Sequence, residues 1–386
     1  MFKRAINQEL MRNNNKAQIL RCVKAKQVVS KRELAEELGL STTTVSTFIR
    51  ELEQENLIQN SGTARSTGGR RSLLYQLNPD YCYTLGLDLQ VDRIVGVILD
   101  FKGDIRAEKE IPFREQDEWK VVPLLKSFIT DLLTEHEIPW PKLGGIGIGV
   151  PGVLSNEAES IDFAPNLGWK NVDLPAMLAL DKPVYLENEA NAGALGEVVF
   201  GLGQNVAHLA YISVGMGIGC GLIIDHKLFA GHLRNAGEFG HMTVEPEGFP
   251  CRCGNKGCWE VYASNSAALR MYTERTNNDR ITFLEFLHRC HENDPHATEV
   301  LQTVTTYLGL GIASVINGLN PEMVIIGGEI TNVKSLIFNS LLREIKERTL
   351  EKSFAGVRLE FSQLGNKAAA LGMGTIVLEK IVNALP

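Results

Sequence analysis

The residues best suited to chemistry lie in one short stretch, GEFGHMTVEPEGFPCRCGNKGCWE, at positions 237–260. Cys251, Cys253 and Cys258 fall within eight residues of one another, and His241 stands ten residues before Cys251. Thiolate and imidazole are the ligands that zinc prefers, and four of them complete a tetrahedral shell. A complete shell leaves no position for an activated water, so we predict a structural zinc ion. The alternative is a cluster of reduced, buried cysteines without metal.

Acidic and amide side chains accompany this loop. The segment PVYLENEAN at 183–191 is typical of a strand that runs into a helix, and ligands in α/β domains bind at strand ends. Acids and amides donate to and accept from hydroxyl groups in pairs, which is how a polyhydroxylated sugar is held. The predicted sugar-binding residues are Asn166, Asn188, Glu189, Glu238, His241 and Glu260. The alternative is that these are surface acids unrelated to a ligand.

Four glycines alternate in the segment Gly215-Met-Gly217-Ile-Gly219-Cys-Gly221. Their backbone N–H groups are suited to cradling a phosphate. Alternating glycines in a hairpin also allow close strand packing. The sequence leaves both interpretations open.

Composition divides the chain into a basic front and an acidic remainder. The net charge is −7, but residues 1–80 hold 13 Lys/Arg against 8 Asp/Glu, and the rest holds 26 against 38. A basic module in front of an acidic body indicates a polyanionic partner. The start of the chain lacks a signal-peptide pattern, and no run approaches the roughly 18 apolar residues of a membrane span. We expect a cytoplasmic protein without a membrane partner, in which Cys22, Cys82, Cys220 and Cys290 are free thiols.

The basic front contains the pattern of a helix-turn-helix. Ser30 and Glu33 form a capping box before a helix that ends at Gly39, and Ser41 caps the next helix. Two short helices joined by a glycine-containing turn are typical of this motif. Short polar side chains and one cation face outward, where they suit base edges and phosphates in a major groove. The predicted DNA-binding residues of this helix are Thr42, Thr43, Thr44, Ser46, Thr47 and Arg50. A three-helix protein-interaction module is the alternative.

A loop and a strand through Leu73, Tyr75 and Leu77 follow, as in a winged helix. Arg70 and Arg71 stand at the glycine-rich tip of this loop. We predict that they contact phosphates or a narrow minor groove. A solvated linker is an equal alternative.

An internal repeat organises the acidic remainder. The segment LDLQVDRIVGVILDFK (87–102) aligns with ISVGMGIGCGLIIDHK (212–227) 125 residues later, which places Gly96 over Gly221. We interpret this as two homologous lobes, each a strand meander with helices, that face each other across a cleft. A last helix at about 367–383 is predicted to pack back on the first lobe.

These motifs resemble the ROK family of repressors, open reading frames and sugar kinases. The resemblance rests on the stretch 237–260, which we call the zinc loop, on GIGVPG (147–152), on the ENEAN segment and on KAAALGMG (367–374). It implies an α/β chain: a winged helix-turn-helix at 1–80, then an actin-like ATPase fold. Lobe one would comprise 81–186 plus 366–386, and lobe two 187–365 with the zinc loop and a dimerisation surface. It also implies zinc on His241, Cys251, Cys253 and Cys258 and a sugar held by the residues named above.

Two departures from the family pattern argue against kinase activity. The kinases' DxGGT phosphate loop is replaced by Asp88-Leu-Gln90-Val-Asp92, which we expect to place a negative charge where a nucleotide phosphate would lie. The family's catalytic Asp falls on Glu189, and a displacement of about 1 Å can cost on the order of a hundredfold in rate. We therefore predict no catalytic residue and no enzyme activity.

The resulting prediction is a sugar-responsive repressor, and the wording of its motifs is most similar to the xylose repressors of Gram-positive bacteria. Expected partners are a palindromic operator DNA, a sugar effector (xylose) and a second copy of the chain, as a homodimer or a tetramer. One alternative is an ATP-dependent sugar kinase of hexokinase or glucokinase type with an accessory DNA-binding module. Another is a constitutive DNA-binding protein with a vestigial cleft.

Overall fold

The computed structural model describes residues 8–63, 72–113 and 115–385. We call the described residues up to Asn78 the head. Its helices and strands are α1 Gln8–Lys26, α2 Lys31–Leu38, α3 Thr42–Gln54, β1 Val29–Ser30, β2 Ile58–Thr63 and β3 Leu73–Leu77. The capping box is confirmed, since Ser30 Oγ accepts from Glu33 N and the Glu33 carboxylate accepts from Ser30 N. The left-handed φ of 64° at Gly39 ends α2 and begins the turn to α3.

The three helices of the head bury one apolar core against its small sheet. Ile19, Leu34 and Ile49 are each fully buried there. Strand β3 pairs antiparallel with both β1 and β2, which completes a winged helix. Arg70 and Arg71 at the wing tip lie outside the described residues, so their predicted DNA contact stays a prediction.

The first lobe is built on a five-stranded sheet. Its strands are β4 Tyr83–Leu89, β5 Arg93–Asp100, β6 Ile105–Pro112, β7 Leu143–Val150 and β11 Val184–Asn188. Helices α4 Glu118–Glu135 and α5 Leu174–Leu178 pack on it, together with a three-stranded sheet of β8 Val153–Leu154, β9 Ile161–Ala164 and β10 Trp169–Val172.

The second lobe carries a second five-stranded sheet. Its strands are β12 Leu209–Val214, β13 Ile218–Ile224, β14 Lys227–Leu228, β15 Met323–Gly327 and β16 Arg358–Phe361. The remaining helices are α6 Glu189–Phe200, α7 Glu260–Ala263, α8 Asn265–Thr276, α9 Phe283–His291, α10 Pro295–Leu319, α11 Lys334–Arg348, α12 Glu351–Gly356 and α13 Ala368–Ala384.

The two sheets have the same strand order, β6-β5-β4-β7-β11 and β14-β13-β12-β15-β16. In each, an antiparallel meander is followed by two parallel strands, and the aligned segments fall on β4–β5 and β12–β13. The predicted repeat is therefore confirmed in the topology. Its shared glycines have one use: a Cβ at Gly96 would lie 2.5 Å from the Phe128 ring of α4, and one at Gly221 would overlap the Ala190 carbonyl of α6. Each glycine lets a helix pack closely on its sheet.

Helix α10 has the length and apolar composition of a membrane span. Its buried side chains, which include Val300, Leu308 and Ile312, pack in the apolar core of the second lobe. The helix is accounted for as a core helix of that lobe.

Helices α6 and α13 lie between the two sheets and touch backbone to backbone. A Cβ at Gly372 of α13 would overlap the Ala192 carbonyl of α6, and one at Gly86 of β4 would overlap the Ala370 carbonyl. The prediction that the last helix packs on the first lobe is therefore confirmed. The far end of α13 enters the head core through Leu378 and Val382. One 17-residue helix thus contacts both the cleft and the head.

Candidate functional site

A cavity of about 250 Å³ opens between the lobes, and we call it the sugar-side cavity. The structure brings all six residues predicted to bind sugar to its wall: Asn166, Asn188, Glu189, Glu238, His241 and Glu260. Apolar side chains complete the lining, among them Val91, Val153, Phe163 and Met216. A polar wall facing an apolar one is typical of a site for a small ligand with hydroxyl groups. Sugar binding by these residues stays a prediction.

Asn188 ends β11 and caps α6. Its Oδ1 accepts hydrogen bonds from Ala190 N at 2.9 Å and Asn191 N at 3.1 Å, and its Nδ2 donates to Gly152 O at 3.1 Å. The cap uses most of the side chain's bonding capacity, which leaves one amide N–H to offer a ligand. Asn188 therefore fixes the start of α6 and, with it, the position of Glu189.

Glu189 begins α6 as a largely buried acid. Its Oε2 is buried and has no hydrogen-bond partner among the described residues. Burial, followed by the nearby charge of Asp88, raises the pKa of Glu189 to about 8. Burial likewise raises the pKa of Asp88 to about 7. A carboxyl group that stays protonated at neutral pH donates a hydrogen bond, which a carboxylate cannot.

The alternating glycines make room for the polar wall. A Cβ at Gly217 would lie 2.5 Å from Glu260 Oε2 and 2.7 Å from Asn166 Nδ2, and one at Gly219 would lie 2.8 Å from Glu189 Oε1. These contacts favour the close-packing interpretation of the glycines over the phosphate cradle. Without these Cβ atoms, Asn166, Glu189 and Glu260 can approach the backbone at Gly217 and Gly219.

The four predicted metal ligands form one cluster in the zinc loop. The Sγ atoms of Cys251, Cys253 and Cys258 and a ring nitrogen of His241 all lie within 4.8 Å of one another. Cys253 Sγ is 3.7 Å from Cys258 Sγ, and Cys251 Sγ is 3.7 Å from His241 Nδ1. The edge of a tetrahedron with metal–sulfur bonds of about 2.3 Å is about 3.8 Å. The donor set and its spacing fit a tetrahedral metal ion such as zinc.

Positive φ angles shape this loop. Gly254 has φ 96° and Gly257 has φ 68°, a backbone conformation that favours glycine. Gly257 also sits so close to the Glu245 carbonyl that a Cβ would overlap it. The two glycines let the chain turn back sharply enough to direct all three thiols to one point.

The cluster and the sugar-side cavity share a wall. His241 presents Nδ1 to Cys251, and its Nε2 lies 3.7 Å from Glu238 Oε2 on the cavity side. Glu260 Oε1 is 3.0 Å from Cys251 Sγ, and its Oε2 accepts a hydrogen bond from Ile218 N at 3.4 Å. The positions of His241 and Glu260 in the cavity wall therefore depend on the zinc loop.

A partly buried ion pair at the edge of the site was missed by the sequence reasoning. Arg234, in the loop after β14, pairs with Glu187 of β11. Glu187 is 5% exposed and also accepts from Asn191 Nδ2 at 3.1 Å. This pair ties the loop before the metal cluster to the start of α6. A single Arg among small and polar residues was its only sequence signal.

A second, smaller space of about 30 Å³ lies deeper between the lobes, and we call it the inner cavity. Its wall includes Asp88, Gln90, Asp92 and Arg93, of which the first three belong to the segment expected to replace the kinases' DxGGT loop. Gln90 Nε2 donates to Asp88 Oδ2 at 2.6 Å, and Arg93 donates to both carboxylate oxygens of Asp92 at 3.0 and 2.9 Å. Asp92 borders the inner cavity and pairs with Arg93, and the expectation that it opposes a nucleotide phosphate stays a prediction. The side chains that border this space pair with one another.

The predicted recognition helix presents a polar face. Thr42, Thr43, Thr47 and Arg50 are exposed, whereas Thr44 and Ser46 are half-buried. The Thr44 hydroxyl hydrogen-bonds the Ser41 hydroxyl at 2.8 Å, within the helix cap. DNA contact by these side chains stays a prediction.

Comparison with known proteins places both parts of the chain. Residues 84–380 match the ROK family, and residues 12–59 match a winged helix-turn-helix DNA-binding family. The xylose repressor of Bacillus spizizenii is 34% identical over 379 residues, which cover 98% of this chain and 98% of that protein.

Two solved structures are similar over different extents. A ROK family transcriptional regulator, a homologue of the Escherichia coli MLC protein, has a TM-score of 0.80 at 26% identity and covers 97% of this chain and 98% of its own. A ROK family glucokinase from Streptomyces griseus, in complex with glucose and AMPPNP, has a TM-score of 0.68 at 28% identity. It covers 76% of this chain and 98% of its own. The chain belongs to the ROK family.

Proposed function

We propose that the protein is a DNA-binding repressor that responds to a sugar, and that this sugar is xylose. The observation that carries the proposal is the joining of a winged helix-turn-helix head to a two-lobed body whose cleft has a wall of acids and amides. Xylose is favoured over other sugars because the xylose repressor of B. spizizenii matches nearly the whole chain.

Helix α13 supplies a route from the cleft to the head. Its first residues, Ala368 and Ala369, line the inner cavity, and Leu378 and Val382 lie in the head core. Arg21 of α1 also donates to Asn383 Oδ1 at 3.2 Å. A sugar that favours one lobe arrangement would shift α13 and, with it, the head. Such coupling is typically worth about 1–3 kcal/mol, or roughly 5- to 150-fold in affinity.

We propose that two copies of the chain bind a palindromic operator. A twofold dimer places two recognition helices in successive major grooves about 34 Å apart. In each head, Thr42, Thr43 and Thr47 would meet base edges and Arg50 a phosphate. A cytoplasmic location follows from this role.

The metal is proposed to be zinc in a structural role. Three thiolates and one imidazole would hold it, and the shell would then be complete. The ion would fix the loop that presents Glu238, His241 and Glu260 to the cavity. It would take no part in a reaction.

The kinase alternative has support from the ROK glucokinase, but two observations disfavour it. The inner cavity, at about 30 Å³, is far smaller than a nucleotide needs, and Gln90 and Arg93, which border it, donate hydrogen bonds to Asp88 and Asp92. We therefore propose that the protein is not an enzyme. A coupled assay of ADP release over a panel of sugars tests this, and turnover near 1 s⁻¹, an ordinary enzymatic rate, would overturn it.

The repressor role is tested with an operator that the protein itself selects from random duplexes. Fluorescence anisotropy at fixed salt should show operator affinity changing by roughly 5- to 150-fold with D-xylose. A response to another sugar but not to D-xylose would refute the choice of effector. If every pentose and hexose leaves both operator affinity and thermal stability unchanged, the constitutive DNA-binding alternative gains.

The recognition helix is tested by Arg50→Ala. Operator affinity should fall, and the slope of log affinity against log salt should drop by about 1, because one phosphate contact is lost. Arg32→Ala is the matched control, since Arg32 is exposed on α2 and pairs with Glu36 at 2.7 Å. Equal effects of the two variants would show that α3 is not the recognition helix.

A further inference from the structure

An ion pair crosses the cleft beside the inner cavity. Arg93 begins β5 of the first lobe, and Glu329 lies in a 3₁₀ turn that follows β15 of the second lobe. Arg93 Nη2 is 2.9 Å from Glu329 Oε1, and the two side chains are 11% and 7% exposed. The pair is therefore shielded from water and joins one lobe directly to the other.

Each partner of this pair is held on its own lobe. Asp92 holds the Arg93 guanidinium with two hydrogen bonds, and Glu110 Oε1 of β6 lies 3.4 Å from its Nη1. On the opposite side, Asn265 Nδ2 at the start of α8 donates to Glu329 Oε2 at 3.2 Å. The supports preset both side chains, so the pair forms at one relative position of the lobes.

The same supports connect the pair to the sugar-side cavity. Asn265 N donates to Gly215 O at 2.9 Å, and Gly215 lies in the wall of that cavity. On the first lobe, Arg93 O accepts from Gln90 N at 3.0 Å, and Gln90 lies in the same wall. A change in the lobe spacing at Arg93 therefore moves two parts of the cavity wall.

The electrostatic consequences of losing a partner differ between the two residues. Without Arg93, Glu329 would keep only the Asn265 amide among the described residues and would lack a counterion there whenever the lobes close. Without Glu329, Arg93 would still have Asp92 and Glu110. Removing one partner of a buried pair is costly, whereas replacing both with apolar residues is often neutral.

We propose that Arg93 is a positioning residue for the ligand of the sugar-side cavity, and that it acts by pairing with Glu329 to hold the two lobes closed around that cavity. This inference rests on the proposed function, because it takes the cavity to be a sugar site. Arg93 does not line the sugar-side cavity, so its effect on the ligand passes through the lobe arrangement.

The test compares Arg93→Met, Glu329→Met and the double variant by calorimetry with D-xylose. Arg93→Met should weaken binding by roughly 10- to 100-fold, since apparent affinity falls with the fraction of protein in the closed state. Glu329→Met should weaken it less, and the double variant should bind more tightly than Arg93→Met alone. A double variant as weak as the sum of the two single losses would overturn the proposal.

Arg106→Met is the matched control. Arg106 Nε is 2.9 Å from Asp100 Oδ2, Asp100 is fully buried, and both residues belong to the first lobe. This variant removes the same guanidinium from a buried carboxylate without touching the cleft. It should lower thermal stability and leave D-xylose affinity within about twofold. An equal loss of affinity in Arg106→Met would mean that Arg93 acts only through general stability.

Hydrogen exchange without sugar separates this inference from the choice of effector. In Arg93→Met, amides of Glu329–Val333 and of the first turn of α13 should exchange faster, and in Arg106→Met they should not. If the wild type does not bind D-xylose, the proposed effector is wrong, yet the exchange result still decides whether Arg93 holds the lobes. Unchanged exchange at both segments would overturn the inference.

Discussion

The two cavities between the lobes have opposite designs. The sugar-side cavity is kept open by glycines, whose missing Cβ atoms leave room for Asn166, Glu189 and Glu260. The inner cavity is narrow, and the side chains that border it pair with one another, Gln90 with Asp88 and Arg93 with Glu329. The inner cavity also keeps buried acceptors without a partner among the described residues, Asp88 Oδ1 and Asn265 Oδ1, so the two spaces differ in size and in their internal pairing rather than in unused hydrogen-bonding capacity.

This difference supports the proposal that the fold here serves to sense a sugar rather than to catalyse a reaction. The lobes, their shared topology and the polar wall all match what a sugar site requires. A second substrate would need the inner cavity, where side chains already pair with one another. On this proposal, the cleft closes around one ligand, and the energy of closure goes into the arrangement of the lobes.

The largest effect on the sugar-side cavity is expected from removing the metal that holds part of its wall in place. Cys253→Ser should lose the metal, lower the free energy of unfolding by on the order of 4 kcal/mol and reduce sugar affinity at least ~100-fold, because the loop carries His241 and Glu260. Elemental analysis, thermal unfolding and calorimetry measure the three effects.

Cys290→Ser is the matched control for the metal site. Cys290 is 2% exposed, and its thiol faces the Ala297 carbonyl in the core of the second lobe, outside the cluster. It should retain metal and sugar affinity. A wild-type protein that purifies fully folded without metal would refute the structural role of the ion.

The metal ligands show what sequence alone can predict. Local patterns were sufficient wherever a few neighbouring residues determine the structure: the Cys/His spacing, the capping box at Ser30 and the glycine at 39. The six polar residues of the sugar-side cavity were also found, five of them from a strand end or the zinc loop and Asn166 from the family resemblance. The internal repeat predicted two sheets of one topology, because it preserves the glycines that let helices pack on them.

Long-range pairing was beyond the sequence. Arg93 and Glu329 are 236 positions apart, and nothing near either residue signals the other. Similarly, Arg234 carries no local pattern that points to Glu187. Charges that meet only after the lobes assemble require the tertiary structure.

A smaller effect on the sugar-side cavity is expected from adding one of the missing Cβ atoms to its wall. Gly217→Ala places a methyl group 2.5 Å from Glu260 Oε2 and 2.7 Å from Asn166 Nδ2, so both side chains must move. Sugar affinity by calorimetry should fall by roughly 10- to 100-fold, since misplaced hydrogen-bonding groups leave buried polar atoms unpaired.

Gly318→Ala is the control for this substitution. Gly318 is an exposed residue of α10 with open space around its Cβ position among the described residues. It should bind sugar normally and gain up to about 1 kcal/mol from the better helix propensity of alanine. Normal sugar affinity in Gly217→Ala would mean that the polar wall does not contact the ligand.

The smallest expected effect lies at the contact between the cavities, where Asp88 and Glu189 share one buried environment. Their pKa values are raised to about 7 and about 8, so the folded protein holds protons that the unfolded chain releases at lower pH. Because the unfolded state binds fewer protons, stability must fall as pH rises through this range. We expect the free energy of unfolding to fall by about 1–3 kcal/mol per pH unit between pH 5 and 8, since each proton held only by the folded protein contributes about 1.4 kcal/mol per unit. Glu189→Gln keeps the shape of the neutral acid but cannot ionise, so its unfolding free energy should depend less on pH and exceed that of the wild type at pH 8.5.

Glu159→Gln, at an exposed position, is the control and should follow the wild type. Denaturant unfolding across this range measures the slopes, and equal slopes for wild type and Glu189→Gln would show that Glu189 is already ionised in the cleft.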